Sequence, residues 1–268
     1  MEKTRAGIQS VEVGFGLLDV LARATGPLML RDLALAAGMS AAKAHRYLVS
    51  FQRLRLVVQD ASSTLYDLGP AALTLGLASL SRIDAVKLAR ERAGGLMQAI
   101  GHTLALAVWG NHGPTIVHWE ESPLAVTVNL RLGDVMPLLA SATGRCFAAY
   151  ASREAITPML QRELQRNRGS ADPDLPADMA AVDAMLDSVR KAGLARVVNT
   201  LLPGIAGFCV PVFDCDGHMV LGIVALGSTA GFDARRDGAV ASALRNAAER
   251  LSSDLGHIRP ATADFGVP

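Results

Sequence analysis

The stretch GMSAAKAHRYLVSFQRLRLV, residues 38–57, sets a basic pair, His45-Arg46, in a segment otherwise rich in Ala, Leu and aromatics. Gly38 is a helix-stopping residue and Ser40 a helix-capping one, so a helix is predicted to start just after Ser40. Ala44, Tyr47, Leu48, Phe51 and Leu54 fall on one stripe of that helix and are its expected buried face. The outward face then carries Ser40, Ala41, Ala42, Lys43, His45, Arg46, Ser50 and Arg53. Small residues at the helix start let its backbone approach a DNA major groove closely. Arg46 can then reach a base edge or a phosphate, while Lys43 and Arg53 supply charge. The competing reading is an ordinary solvated helix face.

A second group is Ser141-Ala142-Thr143-Gly144-Arg145. Ser141 can cap a helix, and the free N–H groups of its first turn form an anion site with Arg145 nearby. The competing reading is a routine capped helix. Cys146 follows, at a position where a helix start lowers a thiol pKa, but no His lies in an equivalent block to act as base. His102, His112 and His118 lack a carboxylate or Cys at ligand spacing, which predicts surface histidines and no metal site. There is no G-x-S-x-G, Walker loop or G-x-G-x-x-G, so no catalytic residue and no cofactor is expected.

The elements that must position these residues follow from periodicity. Ile8, Val11, Phe15, Leu18 and Leu21 recur at helical spacing before Gly26-Pro27, and a short helix follows near 31–37. After the helix beginning at Ala41, LVVQD and TLYDL flank Ala61-Ser62-Ser63 as a small hairpin. Three helices and a hairpin in this order make a winged helix-turn-helix over 1–69. Residues 70–100 read as a solvated linker helix, broken near Asp84. Strands are predicted at Thr103–Trp109, Pro114–Trp119 and Ala125–Leu130, with helices near Ala142–Tyr150, Arg153–Gln165 and Ala177–Ala192. IAGFCVPVF and HMVLGIVAL then flank Asp214-Cys215-Asp216-Gly217, a strong hairpin signal, and a last helix covers Asp233–His257. Both faces of these strands are apolar, so both must be covered. The second domain, 101–268, is therefore an α+β fold with an antiparallel sheet.

Composition fits two domains. Of 268 residues, 50% are hydrophobic and only 19% charged, enough to bury real cores. Residues 1–82 hold nine Lys/Arg against six Asp/Glu, too mild an excess to bind DNA by bulk charge, so a nucleic-acid surface must be local. Cys146, Cys209 and Cys215 form no C-x-x-C pair, which fits a reducing compartment. No apolar stretch reaches the roughly 20 residues that span a bilayer, and the start lacks a signal-peptide core. A soluble cytoplasmic protein is expected.

These blocks resemble the IclR-type bacterial transcriptional regulators over roughly Ile8 to Leu255. The first domain matches through SVEVGFGLLDVL, GPLMLRDLALAAGMSAAKAHRYLVSF and YDLGPAALTLG. The second matches through RLGDVMPLLASATGRCFAAY, VRKAGLAR and PGIAGFCVPVFDCDGHMVLGIVALG. His45 and Arg46 fit the family pattern, whereas the Ser and Thr hydroxyls usual at the helix start are replaced by Ala42 and Lys43. Gly144-Arg145 stands where Gly-Lys is usual, and Asn199-Thr200 where an acidic pair is common. The resemblance implies a double-stranded DNA operator, a homodimer or homotetramer reading palindromic half-sites, and an effector pocket between the sheet and the helix near Ala142. Val197, Gly207, Val224 and Leu226 match pocket walls, and relatives that take small hydroxy- or keto-acids carry Ser hydroxyls on the matching strand. Here those walls are apolar, so the expected effector is an organic acid with an aromatic or otherwise apolar body, its carboxylate near Thr143 and Arg145. A small-molecule enzyme with a nucleophile at Ser141 or Cys146, and a sensor acting on a protein partner without DNA, are the alternatives.

Overall fold

The computed structural model describes residues 7–80, 84–123 and 130–258, in two compact units, Met1–Ile83 and Asp84–Pro268. The first unit contains α1 (Gln9–Arg23), α2 (Leu30–Ala36), α3 (Ala41–Arg53), the hairpin β1 (Val57–Gln59) and β2 (Tyr66–Leu68), and α4 (Pro70–Leu80). Leu17, Leu21, Leu33, Ala44, Leu48 and Tyr66 close its core. α1 is the helix that the spacing of Ile8, Val11, Phe15, Leu18 and Leu21 predicts, but not all of these residues face the core. Leu21 is buried, but Ile8, Val11 and Phe15 are 68%, 63% and 63% exposed, and Gly14 and Leu17 take their place. Gly14 is the reason: a Cβ there would stand 2.9 Å from the Tyr47 ring, so α1 docks on α3 through its smallest residue. On α3 the expected stripe holds at Ala44 and Leu48, whereas Leu54 at its end is 62% exposed.

The second unit contains α5 (Ala85–Ile100), β3 (Thr103–Gly110), β4 (Gly113–Glu120), α6 (Ala142–Tyr150), α7 (Arg153–Arg166) and α8 (Met179–Ala192). Then come β5 (Ala195–Val198), β6 (Ile205–Phe213), β7 (Met219–Ser228) and α9 (Ala239–Asp254). The strands form one antiparallel sheet in the order β4-β3-β7-β6-β5. Ala105, Val224, Leu226 and Cys209 point to one face with α6 and α8, while Leu104, Leu106, Ile223 and Phe208 point to the other with α5 and α9. Covered faces on both sides explain the continuous apolar runs of β6 and β7.

The segment 70–100 is not one linker. α4 belongs to the first unit, and α5, capped by the Asp84 carboxylate accepting from Lys87 N–H at 3.0 Å, packs on β3 and α9 of the second. Its buried residues are Ala89 and Ala93, so the charged positions that look solvated in the sequence are only its outer face. The strand expected at 125–130 lies, apart from Leu130, outside the described residues. No described helix is long and apolar enough to cross a membrane.

Candidate DNA-binding face and ligand cavity

Ser40 caps α3, its hydroxyl accepting from the Lys43 N–H at 3.4 Å. Ser40, Ala41, Ala42, Lys43, His45, Arg46, Ser50 and Arg53 are all exposed, with Ala44 and Leu48 buried behind them. The Ser50 hydroxyl donates back to the Arg46 carbonyl at 3.3 Å. Charge on this face is unneutralised. Among the described residues of this unit, Arg23 and Arg31 pair with Asp19 and Asp32, whereas Lys43, Arg46, Arg53 and Arg55 have no acidic partner. Local cations without counter-charges are what phosphate contact requires.

Beyond the helix, the wing turn is held by Asp60. Its Oδ1 accepts from the hydroxyls of Ser62 and Ser63 at 2.6 and 2.8 Å and from their N–H groups at 3.0 and 2.7 Å. Those bonds, the Ser62 hydroxyl first, hold the carboxyl well below the ordinary carboxylate range. The turn therefore carries hydroxyls and no cation, and the unpaired cations lie on α3 and, just after it, at Arg55.

In the second unit, a cavity opens between the sheet and the start of α6. Seven of the nine residues expected there line it: Ser141, Ala142, Thr143, Val197, Gly207, Val224 and Leu226. Eight more complete the wall: Trp119, which the sequence marks as core or pocket wall, and Ala105, Ile116, Leu130, Met136, Leu201, Leu202 and Ile205, which it does not single out. Ile116 and Trp119 are three residues apart, and both reach the cavity because the β3–β4 register shifts between Leu106 and Ala107, leaving Val117 as an extra residue on β4 that no simple alternation reveals; nothing local marks Leu201. Empty space among these residues, mouth included, comes to about 510 Å³, of which about 50 Å³ admits the centre of a water molecule.

The polar end of the cavity is built by long-range contacts. Glu163 of α7 accepts from the N–H groups of Leu138 and Leu139 at 2.7 and 2.8 Å, fixing the loop that leads into α6. Ser141 donates to the Pro137 carbonyl at 2.7 Å and accepts from the Gly144 N–H at 2.8 Å. These bonds leave the N–H groups of Ala142 and Thr143 without an intrahelical partner. Thr143 lines the cavity, and its hydroxyl has no hydrogen bond among the described residues.

Gly144 and Arg145 depart from the expected site. Gly144 is pressed against the loop, where a Cβ would lie 1.9 Å from the Pro137 oxygen. Its N–H is already taken by Ser141. Arg145 is 5% exposed and turned away from the cavity. Its guanidinium donates to the carbonyls of Leu139 at 2.7 Å, Arg196 at 3.3 Å and Asp174 at 2.6 Å. Burial lowers its pKa, and the nearby Asp174 carboxylate opposes that. With each of its three nitrogens bonded to a backbone oxygen, the guanidinium clamps the loop before α6 to β5 and to the segment around Asp174.

The nucleophile candidates change character too. Cys146 is wholly buried, and burial pushes its thiol up, the reverse of the depression a helix start suggests. Both hydrogen bonds of the Ser141 hydroxyl go to backbone groups, with no histidine among its partners. His102 packs on the Phe232 ring at 4.9 Å and His118 bonds to Glu120 at 2.8 Å. Trp119 is a cavity wall, whereas Trp109 lies beside Phe147 and is 39% exposed. Among the described residues, ligand-type atoms of Asp214, Asp216 and His218 come within 4.8 Å of one another at the β6–β7 turn. There Asp214 is occupied with the N–H groups of Asp216 and His218.

Comparison with known proteins adds a family. A model described as the IclR helix-turn-helix domain matches residues 10–61, and one described as the bacterial transcriptional regulator IclR C-terminal domain matches residues 77–253. The crystal structure of Pseudomonas aeruginosa HmgR is similar at 35% identity with a TM-score of 0.84, over 94% of this chain and 100% of that one. The glycerol operon regulatory protein of Streptomyces coelicolor is 29% identical, covering 93% of this chain and 97% of that protein. The HTH-type transcriptional regulator BhcR of Paracoccus denitrificans is 28% identical, covering 92% and 87%.

Proposed function

We propose, for a chain that belongs to the IclR family of bacterial transcriptional regulators, that it reads a palindromic operator as a dimer or tetramer under the control of an apolar-bodied organic acid. The observation that carries the DNA half is the outward face of α3, where Lys43, Arg46 and Arg53 stand without acidic partners around a small-residue helix start. A single such helix offers few polar side chains, so two copies must act together to specify a site. Apolar surface supports self-association: Ile8, Val11 and Phe15 recur at one helical face of α1, and Leu73 and Leu77 of α4 are 64% and 56% exposed.

The effector half rests on the cavity lining. Val197, Val224, Leu226 and Ile116 have no side-chain hydrogen-bonding group, so a small polyhydroxylated acid would leave polar atoms unpaired against them at roughly 1–3 kcal/mol each. An aromatic or aliphatic body instead gains about 25 cal/mol per Å² buried. The acid group belongs at the N–H groups of Ala142 and Thr143 and the Thr143 hydroxyl, with Arg145 withdrawn to the backbone. Regulation follows if the acid binds the DNA-competent and incompetent arrangements with different affinity.

Calorimetry with benzoate-type acids beside glyoxylate- and pyruvate-type acids tests this reading. Benzoate-type acids should bind more tightly, and Thr143→Val should weaken them by about 1–3 kcal/mol through loss of a charge-assisted bond. Tighter binding of the small polar acids would overturn the assignment.

A further inference from the structure

On the opposite face of the same sheet lies a second and roomier cavity, with about 230 Å³ open to the centre of a water molecule. Its floor is Leu104, Leu106 and Ile223, all nearly inaccessible, and its walls are Ala89 and Ala93 of α5 and Ala247 of α9. Interiors normally pack to near-crystal density, and three alanines converging on one space leave it unfilled. Along α5 the lining runs from Ala89 to Leu96, about 10 Å of helix, so the space is a slot suited to an extended body. Two arginines sit at its exposed rim. Arg92 is paired with Asp254 at 2.5 Å, whereas Arg250, one turn earlier on α9, has neither ion pair nor hydrogen bond among the described residues. The slot is thus apolar inside and carries one uncompensated positive charge at its mouth.

We propose that this slot binds a monocarboxylic acid with an aliphatic chain, the chain lying over Leu104, Leu106 and Ile223 and the carboxylate meeting Arg250. The site is separate from the cavity at α6 and stands or falls independently of it, because the five-stranded sheet divides the two.

The test titrates hexanoate, octanoate, decanoate and decanol into the full-length protein by calorimetry. Affinity should rise roughly fourfold per added methylene of the acid series. Arg250→Glu should weaken decanoate severalfold and leave decanol unchanged. Ala247→Leu should abolish decanol binding and the Arg250-sensitive binding of decanoate while keeping or raising the melting temperature, and Thr143→Val should change neither. Absence of saturable binding, or binding lost in Thr143→Val but kept in Arg250→Glu, would overturn the proposal. So would a shift in oligomeric state by Arg250→Glu without any decanoate binding, which would make this face an interface between copies. If Ala247→Leu fails to fold, the Arg250→Glu comparison of acid with alcohol decides alone.

Discussion

Arg46 and Arg145 both sit early on serine-capped helices, and their surroundings give them opposite roles. Arg46 projects from the exposed face of α3 with no acidic partner, so its loss should leave folding nearly untouched. Arg46→Ala is expected to cost about 1–3 kcal/mol of operator binding at fixed salt, with thermal unfolding within about a degree of the parent. Equal operator affinity in an anisotropy titration would remove it from the interface. Arg145 is the reverse case. Arg145→Ala strips donors from the buried carbonyls of Leu139, Arg196 and Asp174, which should cost roughly 2–5 kcal/mol of stability in urea unfolding. A variant that unfolds like the parent and has lost only effector binding would return Arg145 to the cavity. Nothing in the sequence separates the two arginines. Two of the three carbonyls that claim Arg145 lie 29 and 51 residues further along the chain, beyond the reach of any local pattern.

At the scale of elements, α3 and α6 were readable because each begins with a serine whose capping role and following periodicity agree. The β6–β7 hairpin was readable from its turn chemistry. α1 was readable as a helix from its spacing, but two apolar stripes overlap on it, and only contact with Tyr47 and Phe51 shows that the one through Gly14 is buried. The candidate cavity was half legible for a related reason. Residues on α6, β5, β6 and β7 matched blocks or pocket walls of a known family, but Leu201 and Leu202 lie on a loop whose path depends on tertiary contacts. Another such path is set by Gly144, where the α6 start touches the loop it leaves. Gly144→Ala places a methyl against the Pro137 oxygen and the Leu138 Cα, backbone atoms that cannot rotate aside. A loss of about 3 kcal/mol or more is expected by chemical denaturation, with weaker effector binding in whatever fraction folds. Unchanged stability would show that the loop shifts freely and that the polar end of the cavity is not preorganised.

For the molecule as a whole, one unit offers charge on a small exposed helix and the other an apolar cavity closed at one end by free N–H groups. Neither alone makes a regulator. Coupling requires that ligand occupancy change the DNA affinity, by a factor that is reciprocal and typically 5- to 150-fold. The most direct measurement is fluorescence anisotropy of the protein on a labelled fragment of its own upstream region, at fixed salt, with and without saturating benzoate-type acid. The account predicts specific binding to a palindromic site at a stoichiometry of at least two chains, shifted at least fivefold by the aromatic acid and far less by pyruvate. Binding that no apolar acid shifts while pyruvate does, or specific binding of one monomer to an isolated half-site, would contradict it.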